Sequence, residues 1–323
     1  MVNEYRDSGV NLDKLREYHE GIRSLISSTY RRTVVGAGHY AGVVNINGIN
    51  LAIHTDGVGT KTLLALRTRK FKPIGIDCVA MNVNDLVCVG ARPVALVDYL
   101  ALESEDDELV KEIIEGIVEG AKVSDSEVVG GETAMMKGVV NGFDVACTAL
   151  GVVEKTKLGN EVRPGDVLLG LASDGIHANG YSLVRKLIDE GKLSLEDWED
   201  ELMRPTRIYV REVLSVLDLI KGAAHITGGA FAKLRRITEY SLEINLPDPP
   251  DVFKEIERAG VSHREMHRVF NMGIGMILFV PEDTVEEVEN KLSNRVKTYR
   301  LGKVRGDQGK IKLRSYKNQI LDI

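Results

Sequence analysis

His54-Thr55-Asp56-Gly57-Val58-Gly59-Thr60-Lys61-Thr62 closes a strand-like run and opens a leucine-rich, helix-like one. The stretch combines one carboxylate, two glycines, one lysine and the hydroxyls of Thr60 and Thr62. Glycines let a backbone approach a ligand closely. Amides at a helix start point at anions, and a lysine adds a mobile positive charge. A carboxylate beside such a nest suits a magnesium ion shared with phosphates. A plain turn with a solvated lysine fits the same residues equally well. The four-residue spacer of a P-loop is missing before the Gly-Lys position, so any phosphate site here has another architecture.

Upstream, residues 43–54 read as a hairpin: Asn47-Gly48 is a type I′ turn signal between two apolar runs. Ile49, Leu51 and Ile53 alternate with Asn50, Ala52 and His54, and the strand delivers Asp56 to its end. His54 reads better as a strand residue in polar surroundings than as a catalyst. Before the hairpin, Gly36-Ala37-Gly38-His39-Tyr40-Ala41-Gly42 lacks the dinucleotide-binding spacing. It reads as a flexible linker or as a loop able to close over phosphates. Residues 1–35 are polar and basic, with a weak amphipathic pattern.

Downstream, Ile74 to Val87 places Asp77, Met81, Asn84 and Asp85 on one helical face, with apolar residues covering much of the rest. A mostly apolar helix is buried, and a buried carboxylate needs a partner, which a metal can supply. A wet surface stripe is the alternative. Ser104 with Asp107 resembles a capping box for a helix whose buried stripe runs from Leu109 to Ala121. A strand around Val128-Val129 leads into Gly130-Gly131-Glu132-Thr133, a second carboxylate on exposed backbone or a simple turn. Phe143, Val145, Cys147 and Ala149 alternate as one face of an antiparallel strand.

Residues 154–166 are polar and turn-rich and mark a domain junction. Beyond it, Val167–Leu171 reads as a buried strand entering the polar loop Ser173 to Ser182. Helix-like segments follow at 205–220, 250–270 and 283–293, and Ser262 with Glu265 is a capping pair that leaves His263 and His267 on a surface.

The chain has 323 residues, more than one core usually holds, so two domains are expected. A net charge of −6 argues against a general nucleic-acid or anionic-membrane binder. Cys78, Cys88 and Cys147 read as reduced core thiols of a cytoplasmic protein. No signal peptide or apolar stretch of membrane-spanning length is visible. The three carboxylates Asp56, Asp85 and Glu132, two glycine-rich segments and Lys61 fall in the first half, a set that suits Mg²⁺ with a nucleotide. No Ser-His-Asp or Cys-His order supports covalent acyl chemistry.

Taken together, Thr55 to Lys61, Gly75 to Met81 with Val83 to Leu86, and Gly130-Gly131-Glu132-Thr133-Ala134 resemble the phosphoribosylformylglycinamidine cyclo-ligase (aminoimidazole ribonucleotide synthetase) family. In the second half, His177 to Arg185, Pro205 to Val210, His225 to Gly229 and Phe270 to Met276 carry the same resemblance more specifically. It extends from Tyr5-Arg6-Asp7-Ser8-Gly9-Val10 to about Val304. The departure is Gly38-His39-Tyr40-Ala41-Gly42, where the family's mobile loop is richer in glycine.

The resemblance implies an α+β fold in two domains. The first, 1–155, would bind ATP and Mg²⁺ and complete a barrel across a homodimer; the second, 163–323, would contribute the substrate site. It implies ATP-driven ring closure in purine biosynthesis. Asp56, Asp85 and Glu132 would hold Mg²⁺, and Lys61 would neutralise phosphate. Gly36, Gly38, Gly42, Gly57, Gly59, Thr60, Asp77 and Asn84 would line the nucleotide site. Ser173, Gly175, His177, Asn179 and Thr227 would contact the nucleotide substrate. The runner-up is another ligase or kinase of the same superfamily, similar to selenophosphate synthetase or thiamine-monophosphate kinase. A nucleotide-sensing scaffold is the non-enzymatic alternative.

Overall fold

The computed structural model describes residues 12–323, so the Tyr5 to Val10 motif lies outside the described residues. The amphipathic pattern near the start forms helix α1, Leu12–Ser27. Strands β1 (Thr33–Val35), β2 (Gly42–Ile46) and β3 (Ile49–Gly57) follow, with Asn47 and Gly48 at positive φ in the expected hairpin turn. Helix α2 (Lys61–Thr68) leads into α3 (Lys72–Cys88), then β4 (Ala91–Leu102), α4 (Asp107–Ser124), β5 (Glu127–Met135) and β6 (Phe143–Val153).

These strands form one sheet in the order β1-β2-β3-β6-β4-β5. The α4 crossover makes β4 and β5 parallel, while β3, β6 and β4 are antiparallel. Phe143, Val145, Cys147 and Ala149 face inward as expected. Helices α3 and α4 cover this inner face and cross at glycines. A Cβ on Gly75 would lie 2.1 Å from the Ile113 carbonyl oxygen, and one on Gly116 would lie 2.1 Å from that of Lys72. The outer face carries exposed Ile53, Leu150, Val97 and Tyr99, and within this chain the sheet does not close into a barrel.

The chain passes through 154–166 to β7 (Val167–Ala172), α5 (Tyr181–Asp189), α6 (Leu195–Met203), α7 (Val210–Ser215) and β8 (Gly222–His225). A 3₁₀ turn, Ala230–Arg236, precedes β9 (Tyr240–Asn245), α8 (Asp251–Arg258), α9 (His263–Val269) and β10 (Ile274–Val280). Helix α10 (Val285–Leu292) and strands β11 (Thr298–Gln308), β12 (Ile311–Arg314) and β13 (Ile320–Asp322) end it. The second sheet has the order β13-β12-β9-β11-β7-β10-β8. The architecture is mixed α+β.

Three local expectations change. Asp106, not Ser104, caps α4, its side chain accepting from the Leu109 amide. Residues 205–209 are not helical, and only Val210–Ser215 forms a helix there. Ser262 does cap α9, yet His267 is buried rather than superficial, stacked against Tyr316. No helix among the described residues is long and apolar enough to cross a membrane.

Candidate active site

Helix α3 is apolar enough to sink between the two sheets, and nearly every residue from Ile74 to Cys88 is buried. Its polar side chains therefore require partners, and the second half supplies them. Asp77 accepts two 2.6 Å hydrogen bonds, from the Thr206 amide and hydroxyl. Its other oxygen lies 2.7 Å from the Lys61 ammonium. Burial raises the Asp77 carboxyl and lowers the Lys61 amine, and their mutual attraction opposes both shifts. Lys61 also donates to the carbonyls of Arg204 at 2.7 Å and His177 at 3.3 Å. Asn84 donates to the Arg207 carbonyl and accepts from the Tyr209 amide, each at 2.8 Å.

Lys61, Asp77 and Asn84 thus join the two halves. Lys61 has no exposed surface. Expected as a phosphate-neutralising cation, it lies where the start of α2 is pressed against residues 177 and 204, its ammonium engaged by Asp77 and two carbonyls. Asp77 and Asn84 are likewise engaged with residues 204–209 rather than open to a nucleotide.

Two turns further along α3 the chemistry changes. Asp85 Oδ1 lies 2.8 Å from His225 Nδ1, and Oδ2 lies 3.4 Å from His54 Nε2. The Asn84 amide is 3.3 Å from His225 Nε2, which assigns the His225 proton to Nδ1, donating to Asp85. Burial would raise Asp85, but the hydrogen bond from His225, helped by the charge of Lys233, outweighs it and holds the carboxyl below its ordinary value. Asp56, at the end of β3, accepts from the Gly57 amide at 2.8 Å. Burial, and then the negative charge of Asp85, push Asp56 up. Asn82 sets His54, with Oδ1 3.1 Å from Nδ1, while its amide donates to the Asp56 carbonyl.

Glu132 does not join them. Asp56 pairs with Cys147, Cys147 with Asp98, and Asp98 with Gly131, so the β5 position is three strand spacings away. That is about 14 Å. Glu132 also takes the opposite side of the pleat, beside exposed Tyr99. Among the described residues no group of three His, Cys, Asp or Glu could hold a metal ion. The three-carboxylate set is therefore not assembled within one chain.

The 36–42 loop docks across the cleft. Tyr40 is buried, with its hydroxyl 3.4 Å from the Lys233 carbonyl and its ring 5.0 Å under the Arg236 guanidinium. Gly36 packs on the Tyr30 ring and Gly38 on Arg23, and Gly42 starts β2. His39 lies beside the Leu158 backbone, and burial lowers its pKa to about 4. Gly59, at positive φ, faces open space, and Thr60 Oγ1 lies 3.2 Å from Ser182 Oγ.

In the 173–182 loop, Ser173 and Gly175 are tied to Asn271, and His177 is buried with its pKa pushed far down by burial. These three support the loop. Asn179 differs: its amide nitrogen is buried without a partner, and its oxygen lies 3.0 Å from a Cβ built on Gly228. Next along the chain, Thr227 accepts from the Lys233 ammonium. The fold therefore gathers Asp56, Asp85, Asn179 and Thr227, and adds His54, Asn82, His225 and Lys233. Lys233 escaped the sequence reading because it sits in the irregular Ala230–Arg236 turn, four residues beyond Gly229. Two surface cavities, of about 430 Å³ beside Arg207 and Arg295 and about 380 Å³ beside Glu257 and Tyr316, do not include these carboxylates.

Residues 38–153 match the AIR synthase related protein N-terminal domain, and residues 163–314 match its C-terminal domain. Over 321 residues the chain is 62% identical to the phosphoribosylformylglycinamidine cyclo-ligase of Saccharolobus solfataricus, covering 99% of each. The chain belongs to the phosphoribosylformylglycinamidine cyclo-ligase family. It is also 54% identical to the cyclo-ligase of Sulfurisphaera tokodaii, with complete coverage of both chains. The thiamine-monophosphate kinase structure from Stenotrophomonas maltophilia shares the fold, with a TM-score of 0.65 at 18% identity over 91% of this chain and 94% of that one. As a cyclo-ligase family member the chain is an ATP-dependent ligase of purine biosynthesis.

Proposed function

We propose that the cleft between the two halves carries out the family's ring closure, converting formylglycinamidine ribonucleotide to aminoimidazole ribonucleotide, with Asp56 and Asp85 holding Mg²⁺ on the ATP phosphates. The supporting observation is the pair itself. Asp85 is kept ionised by His225 while burial and its charge push Asp56 toward protonation. Two crowded carboxylates of this kind favour a divalent cation. Magnesium commonly takes only one or two protein carboxylates, filling its remaining positions with phosphate and water, so this donor pair fits it. The bound ion would supply charge neutralisation at the phosphates.

The formyl oxygen is a poor leaving group as hydroxide. It attacks the γ-phosphorus of ATP, and ADP leaves. The ring-forming nitrogen then attacks the formyl carbon, loses a proton, and the carbon–oxygen bond breaks to release phosphate. The protein's part is alignment, charge neutralisation and exclusion of water. Asn179 and Thr227 would orient the substrate, and the Tyr40-anchored loop would cover the phosphates.

Asp56→Asn and Asp85→Asn each keep shape but remove a charge. Each should lower kcat about a thousandfold, on the order of 4 kcal/mol, while the fold persists. Near-normal turnover of both variants at saturating Mg²⁺ would sink the assignment.

A homodimer belongs to the same proposal. The outer face of the first sheet leaves Ile53, Leu150, Val97 and Tyr99 exposed, and β5 is an unpaired edge. Such a face and edge call for a cover. Glu132 lies on that face, so any service to a nucleotide would be across the dimer. Three unpaired, buried cysteines support a reducing, cytoplasmic setting.

A further inference from the structure

We propose that Lys233, and not the lysine of the glycine-rich turn, is the cation that meets the transferred phosphoryl group. This rests on the ring-closure reading above. Phosphoryl transfer concentrates negative charge on the γ-phosphoryl oxygens, and a cation placed there beforehand stabilises it. Two lysines come near the cleft, and their surroundings separate them.

Lys61 is closed off. Its ammonium contacts Asp77 and two carbonyls, and its side chain has no exposed surface. A phosphate could reach it only by separating the two halves.

Lys233 is partly exposed. It donates one hydrogen bond, to Thr227 Oγ1, and makes no ion pair within 4 Å among the described residues. An ammonium has three donors, so two remain. Its ammonium is attracted by Asp85 and Asp56 and repelled by Arg236. It therefore faces the carboxylate pair without touching it. A compact charge on a flexible stem suits that gap.

The turn bearing Lys233 also carries Arg236, whose guanidinium covers the Tyr40 ring. Tyr40 in turn reaches the Lys233 carbonyl. Seating of the 36–42 loop and placement of the ammonium are thus mechanically linked. The carboxylates come from the first half and the cation from the second, so only the assembled cleft has both.

The competing explanation is structural: Lys233 would merely pin its own turn to Thr227. The test measures kcat, KM for MgATP, pH profile and Tm for the full-length chain, with aminoimidazole ribonucleotide as the product assayed. Lys233→Met should lose about a hundredfold to a thousandfold in kcat with Tm nearly unchanged. Lys233→Arg, which keeps the charge, should recover part of that loss and move the alkaline limb of the pH profile upward. Lys61→Met should lose Tm while its folded fraction retains kcat better than Lys233→Met. Should the methionine variant not fold, Lys233→Gln takes its place.

The inference is overturned if the Lys233 variants keep kcat within about threefold, or if the arginine variant is as inactive as the methionine variant and melts equally low. It is overturned too if Lys61→Met folds normally yet is the less active of the pair. A wild-type chain that makes no aminoimidazole ribonucleotide would contradict the ring-closure reading itself, which distinguishes the two failures.

Discussion

A buried charge must be matched, and Lys61 with Asp77 shows how far that partner can be in sequence. The carboxylate was legible as part of a polar stripe on an apolar helix. The partners from the second half were not, because Thr206, which donates to Asp77, and the Arg204 carbonyl, which accepts from Lys61, are brought in only by packing. Removing one member of a buried pair strands the other. Lys61→Met should therefore cost about 3–5 kcal/mol, read as a lowered urea midpoint at unchanged slope. A loss below 1 kcal/mol would mean that the ammonium is solvated in solution.

The histidines make a separate claim at the same scale. His39 and His267 are both lowered from 6.5 to about 4, each chiefly by burial. Their folded values lie below their unfolded ones, so the unfolded chain binds more protons in that window. Their contribution to stability is complete above pH 6.5 and is lost as pH falls toward 4. Each proton can add a slope of at most about 1.4 kcal/mol per pH unit. Denaturant unfolding at pH 7 and pH 5 checks this, with His267→Phe expected to flatten the dependence. An identical slope in that variant would count against His267.

Among the elements, α3 carries most of the architecture, and its period was readable from Asp77, Met81, Asn84 and Asp85. The same face that looked able to bind a ligand divides in space. Asp77 and Asn84 hold the halves together, and Asp85 pairs with His225 and His54. Sequence periodicity defines a face but not what packs on each turn of it. The crossing of α3 with α4 is equally specific. With the Ile113 carbonyl 2.1 Å from a Cβ at position 75, Gly75→Ala must push the helices apart. It should destabilise by about 1–3 kcal/mol or more, measurable as a Tm drop of several degrees. An unchanged Tm would show that the crossing is looser than drawn. The cap of α4 moved from Ser104 to Asp106 because Ser104 and Asp106 both suit an N-cap and only the chain's exit from β4 selects one.

For the whole molecule, the hairpin, the strand from Phe143 and the buried strand at Val167–Leu171 followed from local patterns, whereas strands β8 to β13 of the second sheet did not. The gathering of Asp56, Asp85, His225 and Lys233 required the second sheet to close over the first, so only its parts were legible. Glu132 failed to join them because register placed it on the other side of the pleat, on the face read here as a dimer surface. Sedimentation equilibrium at low micromolar concentration should find twice the 35.6 kDa chain mass. A purely monomeric species would leave the exposed Ile53, Leu150, Val97 and Tyr99 without an explanation.

The central claim is that ATP activates the formyl oxygen in this cleft. The most direct measurement uses substrate labelled with heavy oxygen at the formyl group and follows the label by mass spectrometry of the released phosphate. The account predicts one labelled oxygen in each phosphate formed, in step with aminoimidazole ribonucleotide. Label released into water while ATP is consumed would contradict it.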